Sequence, residues 1–230
     1  MVVTDKVITT TDSALLRLLQ LSSVSLPVGG YAFSQGMEYA IEKAWVKNKQ
    51  DVLDWTALQI QESMARVDLP ILRLSMAAVT AKDNQGLLEM NDLALACRET
   101  KELRLNDTAM GEALSRLMAS LGIDTPFSRN EDVSFVCLFA IAAKHWNMDF
   151  DLAAIGFTWS WLENQIAAAT KLVPLGQTQA QELLGELQGS IHDAIALSLT
   201  VEEERIGAGL PMIAIASAQH ETQYSRLFRS

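Results

Sequence analysis

Apolar residues recur at intervals of three and four along most of this chain, a spacing that places them on one face of an α-helix. The pattern begins at Leu15, Leu18 and Leu19 and continues as far as the stretch between Leu184 and Ile195. No run alternates with a period of two for long enough to predict a strand, and no Asn-Gly or Asp-Gly pair predicts a hairpin. The sequence therefore predicts an all-α, single-domain bundle of roughly eight to ten helices.

Helix boundaries are predicted from prolines, glycines and capping residues. Asp51 is predicted to cap the third helix, and Asp68 followed by Pro70 predicts the fresh start of another. Gly122 predicts a helix end. Residues 133–143 are apolar on all sides, which predicts a helix at the centre of the bundle. Other predicted helices cover residues 37–45, 87–102, 109–121, 151–173 and 184–195.

The composition is typical of a chain that buries a hydrophobic core, and its net charge is negative. Of its 230 residues 49% are hydrophobic, and the formal net charge is -10. Such a balance argues against a nucleic-acid-binding protein, because phosphate contacts need clustered basic residues. Cys97 and Cys137 are the only cysteines, and no apolar stretch reaches the length of a membrane span. We expect a reduced, cytoplasmic protein that binds no nucleic acid and no membrane.

Motifs for catalysis are missing from the sequence. It contains neither the phosphate-binding Gly-x4-Gly-Lys-Ser/Thr motif nor a Gly-x-Gly-x-x-Gly motif. The histidines His145, His192 and His220 are far apart and lack the spacing of metal ligands. We therefore predict no catalytic residues and no stably bound metal or cofactor. A site assembled from distant polar residues stays open as an alternative.

The segment from Leu26 to Glu38 breaks the helical pattern with a proline and several glycines. One interpretation is a loop between helices whose aromatic residues, Tyr31 and Phe33, pack into the core. The other is a shaped loop that presents Tyr31 to a partner. The residues assigned to the structure of this loop are Pro27, Gly29, Gly30, Ser34, Gly36 and Glu38.

Two further segments carry charge next to helix ends. Lys171 precedes Pro174, so it is either a cation in the last turn of a helix or a surface contact for a partner. The stretch from Arg98 to Arg104 has Arg98 and Glu102 four residues apart, which predicts a solvated helix face.

Residues 211–230 form a tail that follows a linker rich in glycine and glutamate at residues 201–211. Its last twenty residues are net basic on an otherwise acidic protein. Helical spacing relates Ile213, Ser217, His220, Tyr224 and Leu227. An ordinary terminal helix would explain this pattern, but the aromatic and arginine content also suits a helix that inserts into a partner.

Four blocks of sequence resemble the UreF family of urease accessory proteins. They are Leu26-Pro-Val-Gly-Gly-Tyr-Ala-Phe-Ser-Gln-Gly-Met-Glu38, Cys97-Arg-Glu-Thr-Lys-Glu-Leu-Arg104, Lys171-Leu-Val-Pro-Leu-Gly-Gln177 and His220-Glu-Thr-Gln-Tyr-Ser-Arg-Leu-Phe-Arg-Ser230. The blocks occur in the family's order, and the similarity extends from about Ala14 to Ser230. The resemblance implies an all-α homodimer that is not an enzyme.

The resemblance also implies partners. It implies a nickel-chaperone assembly with UreD (UreH in some organisms) and the GTPase UreG, whose activity the chain could regulate. This assembly delivers nickel to apo-urease, whose active-site lysine is carbamylated. The nickel is then handled by the partner complex. The alternatives are a helical enzyme with its own active site and a direct nickel carrier that binds through His220 or Cys97.

The resemblance assigns regions and residues as well. It implies a lead-in at residues 1–12, a helical domain at 13–210 and a tail at 211–230 that orders when it docks into UreD. Tyr31 and Arg226 are implied to help recruit UreG, and Lys171 to face it. The residues assigned to partner binding are Tyr31, Lys171, His220, Glu221, Tyr224, Arg226, Leu227 and Phe228.

Overall fold

Helices joined by short loops make up the computed structural model, which describes residues 12–128 and 131–229. The α-helices are α1 (Asp12–Leu21), α2 (Met37–Glu42), α3 (Lys49–Leu58), α4 (Leu69–Ala81), α5 (Asn84–Ala96), α6 (Lys101–Ser120), α7 (Phe135–His145), α8 (Phe150–Leu172), α9 (Gln177–Glu186), α10 (Gln188–Ser198) and α11 (Pro211–His220). Those two ranges contain no strand, so the all-α prediction is confirmed. Nor does any helix in them have the length and apolarity to cross a membrane. Residues 1–11 of the predicted lead-in at 1–12 lie outside the described residues.

Helix α7 lies at the centre of the core, as its apolar sequence predicts. All of residues 135–143 are buried. The ring of Phe139 meets those of Phe135 and Phe157 of α8, with centroids 5.9 Å and 5.3 Å apart. One continuous cluster of buried side chains runs from α1 to α10 and includes Phe228 near the C-terminus. A single hydrophobic core therefore supports the whole bundle.

Residues 49–81 form one continuous helix, and the prediction of a fresh start at Pro70 is wrong. A π-helical segment (Gln59–Asp68) joins α3 to α4. Asp68 has helical backbone angles (φ -67°, ψ -44°) and caps nothing. The amide of Leu69 bonds to the carbonyl of Met64, five residues back, which is the wider register of a π-helix. Pro70 follows this wide turn directly and, lacking an amide hydrogen, donates no backbone hydrogen bond to the helix.

The predicted helix over residues 87–102 is two helices. Helix α5 ends at Ala96, and α6 begins after Thr100, whose hydroxyl accepts the amide hydrogen of Leu103 at 3.1 Å. The predicted helix over 184–195 is likewise divided at Leu187 into α9 and α10.

Capping explains two other boundaries. Asn48, rather than the predicted Asp51, is the N-cap of α3, and its side-chain oxygen accepts the amide hydrogen of Asp51 at 3.1 Å. Gly122 adopts a left-handed φ of +72° just after α6, so the predicted end of this helix is confirmed.

Arg98 lies in the break between α5 and α6, and its side chain is mostly buried, with 16% of its surface exposed, rather than solvated as predicted. It donates from Nη2 to Asp68 Oδ1 (2.6 Å) and from Nε to Asp107 Oδ2 (2.9 Å). Burial opposes its charge, but attraction to Asp107 and Asp68 outweighs burial and raises the pKa of Arg98. Asp107 also accepts from Ser134 Oγ and from the amide of Phe135. These residues tie the π segment and α6 to the start of α7.

Candidate partner-binding surface

The C-terminal tail packs on the body of the chain through α11, which lies against α2 and α6. Ile213, Ser217 and His220 are buried at this contact. Gly36 makes the approach possible, because a Cβ there would lie 3.0 Å from the amide nitrogen of Ser217 and 3.1 Å from Ala216 Cβ. Its φ of +85° also favours glycine. The assignment of Gly36 to the loop structure thus has a physical reason.

His220 is the last residue of α11 and is fully enclosed, with 0% of its surface exposed. Its Nε2 lies 3.1 Å from Glu38 Oε2, and its Nδ1 lies 2.8 Å from Glu102 Oε2. Both carboxylates are themselves buried. We call Glu38 and Glu102 the carboxylate clamp.

The carboxylate clamp also holds the chain after α11. Glu38 accepts the amide hydrogens of Leu227 (2.6 Å) and Phe228 (2.9 Å). Glu102 accepts a hydrogen bond from Arg226 Nη1 at 2.9 Å. These bonds fix residues 226–228 in an irregular conformation. The prediction of helical spacing through Tyr224 and Leu227 is therefore wrong, since α11 ends at His220.

The last described residues bring the tail, Lys171 and the Tyr31 loop together. Phe228 is buried, and Lys171 Nζ lies 5.3 Å from the centroid of its ring. The amide of Arg229 donates to the carbonyl of Ala32 at 2.9 Å, and its guanidinium lies 5.8 Å from the Phe33 ring centroid. Segments almost two hundred residues apart in sequence thus form one surface.

The loop at residues 26–38 buries one of its two aromatic side chains and exposes the other. Phe33 is buried in the body, whereas Tyr31 is 60% exposed at the tip of a 3-10 turn (Gly30–Ala32). Gly29 precedes that turn with a left-handed φ of +76°. Ser34 is buried with its hydroxyl 3.4 Å from the amide of Glu38, and Pro27 is exposed. The loop is anchored on both sides of an exposed tyrosine.

The residues predicted to bind partners divide into exposed and enclosed groups. Tyr224 is fully exposed and Leu227 is 64% exposed, while Glu221 is half-buried. His220 and Phe228 are enclosed by the chain itself, so in this conformation they fasten the tail. Tyr31, Lys171 and Arg226 also have exposed surface.

Sequence reasoning missed the role of Glu102 and the outer face of α11. Glu102 is 118 residues from His220 along the chain, so no local spacing indicates their contact. Met212 and Ile215 are half-exposed on the outer side of α11. Their spacing of three was a signal that this short helix is apolar on two sides.

Histidine and cysteine side chains are poorly placed as metal ligands. Among residues 12–128 and 131–229, no group of three or more His, Cys, Asp or Glu side chains is arranged to hold a metal ion. Both nitrogens of His220 face different carboxylates instead. Burial raises the pKa of Cys97 and raises that of Cys137 to about 12. This disfavours the thiolate, which is the form that binds metal.

Fold and surface together define an all-α protein whose exposed aromatic and apolar side chains gather around a docked C-terminal tail. The sequence model of the UreF family matches residues 46–188. A urease accessory protein UreF from Marinomonas sp. (strain MWYL1) is 74% identical over 223 residues, 97% of each chain. The UreF of Teredinibacter turnerae is 44% identical over 95% of this chain and 100% of its own.

The UreF of Alkalilimnicola ehrlichii is 43% identical over 93% of this chain and 95% of its own length. The chain belongs to the UreF family of urease accessory proteins. Its role is in the maturation of urease, and its relatives are named accessory proteins rather than enzymes.

Proposed function

We propose that the chain is a scaffold for the insertion of nickel into urease. Together with UreD it binds and recruits the GTPase UreG and apo-urease, so that nickel reaches the carbamylated active site. The observation that supports this proposal is the surface at which Tyr31, Lys171 and the exposed tail residues meet. Exposed aromatic and arginine side chains are the usual anchors of protein interfaces.

The tail offers UreD an apolar face. Met212 and Ile215 are half-exposed on α11, and Leu227 and Tyr224 are exposed beyond it. A partner that covers these side chains would bury apolar surface without first pulling the tail from the body. Binding of UreD would then fix residues 211–230 in place, which is how we propose that the tail orders on docking.

The Tyr31 loop offers UreG a second face next to the first. Tyr31 projects from an anchored turn, and Arg229 bonds to the same turn through its amide. Arg226 is held at one end of its guanidinium by Glu102, which orients the rest toward solvent. Recruitment of UreG would therefore depend on the docked tail. We further propose that the chain acts as a cytoplasmic homodimer, that nickel is handled by its partners and that it regulates the GTPase.

Replacing Tyr224 or Leu227 with alanine is expected to weaken binding to UreD without changing the helical content of the chain. Truncating an interface anchor typically costs about 2 kcal/mol, a factor of about 30 in Kd. Neither side chain is buried in the body, so folding should be unaffected. Titration calorimetry and circular dichroism would measure the two effects. Leu199→Ala, at an exposed leucine after α10, is the matched control; equal loss with that variant would contradict a specific role of the tail.

Replacing Tyr31 with alanine is expected to spare binding to UreD and to weaken recruitment of UreG by the UreD complex about tenfold or more. Tyr31 is 60% exposed, so we expect the substitution to act on binding rather than on folding. Capture of UreG on immobilised UreD complex would measure it, with Tyr31→Phe separating the ring from the hydroxyl. Undiminished capture of UreG by Tyr31→Ala would remove this residue from the surface.

A further inference from the structure

A cavity of about 110 Å³ lies between the π segment, α6 and α8, and the break between α5 and α6 borders it. One enclosed water molecule needs only about 10–15 Å³, so the cavity admits a molecule of several atoms. Part of its wall is aromatic, with Phe135, Phe157 and Trp161 among the lining side chains. None of the described residues assigned to partner binding lines it.

Two amide side chains in the wall of this cavity have a buried oxygen atom without a hydrogen bond. Asn106 Oδ1 and Gln165 Oε1 have no partner in the part of the chain that the structure describes. The two residues are 6% and 1% exposed, so bulk water hardly reaches them. A buried acceptor without a donor destabilises the folded chain. These two atoms therefore indicate a ligand that donates hydrogen bonds.

Two further amides add acceptors to the same wall. Gln59 Nε2 donates to the carbonyl of Trp55 at 3.2 Å, and Asn164 Nδ2 donates to the carbonyl of Ser160 at 3.0 Å. Because the helix backbone holds both nitrogens, the oxygen of each side chain remains as an acceptor. Gln59 and Asn164 both line the cavity, which is therefore rich in carbonyl oxygens.

The charges of the lining favour a cation. Asp68, Asp107 and the exposed Glu99 contribute three carboxylates, whereas Arg98 contributes one guanidinium. Arg98 already pairs with both aspartates. No lysine or histidine among residues 12–128 and 131–229 lines the cavity. The aromatic rings act in the same direction, since the face of a ring attracts a cation.

We propose that this cavity binds a small primary ammonium ion, which donates to the amide oxygens of Asn106 and Gln165. An ammonium group has three N–H donors and no acceptor, so it suits a wall that is rich in acceptors. Its carbon substituent would pack against aromatic rings such as that of Phe157. A transition metal suits the cavity less, because amide oxygens are weak ligands for it and no described histidine is at hand.

The site does not depend on whether the C-terminal tail is docked. Ile213 of α11 also lines the cavity, but every group that would contact the ammonium ion precedes residue 211. The isolated chain is therefore sufficient for the test, and no partner is needed. The inference is also independent of the proposed scaffold function, so failure of either one would leave the other standing.

Titration of the isotope-labelled, full-length chain with methylammonium chloride tests the site by nuclear magnetic resonance at constant ionic strength. The side-chain amide signals of Asn106 and Gln165 report on the contact directly. We expect these signals to shift and to saturate, with a dissociation constant that is roughly millimolar, because a ligand of so few atoms gains little binding free energy. Signals that stay unchanged would overturn the proposal.

Tetramethylammonium separates hydrogen bonding from charge, because it is a cation without an N–H donor. It is expected to bind at least about tenfold more weakly than methylammonium. Equal affinity for the two ions would contradict the proposal. Nickel sulfate is the third probe, and a response of the same signals to Ni²⁺ but not to methylammonium would make the cavity a metal site instead.

Two variants remove the unpartnered acceptors with little change in volume. Asn106→Leu and Gln165→Met are each expected to weaken methylammonium binding about tenfold or more without lowering the melting temperature, since each replaces an unsatisfied buried group by an apolar one. Gln181→Met, at an exposed glutamine of α9, is the matched control and should keep full binding. Undiminished binding in both cavity variants would place the ammonium ion elsewhere and overturn the proposal.

Discussion

Replacing Arg98 with alanine is expected to lower the free energy of unfolding by about 3–5 kcal/mol. The guanidinium is the only cation that pairs with buried Asp68 and Asp107 among the ion pairs of residues 12–128 and 131–229. Its removal leaves two carboxylates in the interior without a counter-charge. The loss also disconnects the π segment from α6, because Arg98 bridges them. Urea denaturation of the variant and the unmodified chain would measure the difference.

Arg104→Ala is the matched control for this prediction. Arg104 pairs with Asp132, but both side chains are about half-exposed, so the pair is screened by water. Its loss is expected to cost less than about 1 kcal/mol. Similar losses of unfolding free energy in the two variants would mean that burial does not strengthen the ion pairs of Arg98.

Replacing Glu38 with alanine is expected to detach residues 221–229 from the body. The carboxylate of Glu38 accepts hydrogen bonds from His220, Leu227 and Phe228. Its removal leaves the amide of Phe228 and Nε2 of His220 without this partner inside the bundle, at a cost of about 1–3 kcal/mol for each buried polar group. Exchange of the amides after α11 should therefore approach that of an unstructured peptide. Hydrogen–deuterium exchange would show whether the loss is confined to this segment.

Glu42→Ala provides the comparison on the same helix. Glu42 is exposed, and its one ion pair among residues 12–128 and 131–229 is with the neighbouring Lys43, so we expect a change of less than about 0.5 kcal/mol and full protection of the tail. Retention of tail protection in Glu38→Ala would contradict the assignment of this residue to the carboxylate clamp.

Local sequence signals predict the parts of the fold that local chemistry decides. The uniformly apolar stretch at 133–143 indicates the buried helix α7, and the long periodic run before Pro174 indicates α8. Gly122 ends α6 because its left-handed conformation is accessible to glycine. In each case the residues that decide the structure are neighbours along the chain.

Long-range pairing decides the features that the sequence misses. Asp68 has the sequence of a helix cap. Its carboxylate instead accepts a hydrogen bond from Arg98, and the helix continues through a π-helical segment. Glu102 has the spacing of a surface ion pair with Arg98, yet it binds His220 and Arg226 from the other end of the chain. Both side chains are buried only in the assembled bundle, so their contacts do not follow from local spacing in the sequence.

The surface around Tyr31 shows the same division. Its loop is predicted from Pro27 and the glycines of the sequence, whereas the sequence leaves open whether Tyr31 is buried or exposed. That residues 226–229 pack beside this loop follows only from the clamp and from the burial of Phe228. The sequence identifies the residues of the surface, whereas the fold determines how they combine.

Co-purification of the chain with UreD and UreG tests the scaffold function most directly. The full-length chain and a version that ends at Leu210 would be compared, with circular dichroism as the check that both forms fold. We expect the full-length chain to capture UreD and, through that complex, UreG, and the truncated chain to capture neither. If both forms fold and the full-length chain captures neither protein, the proposed scaffold function is contradicted.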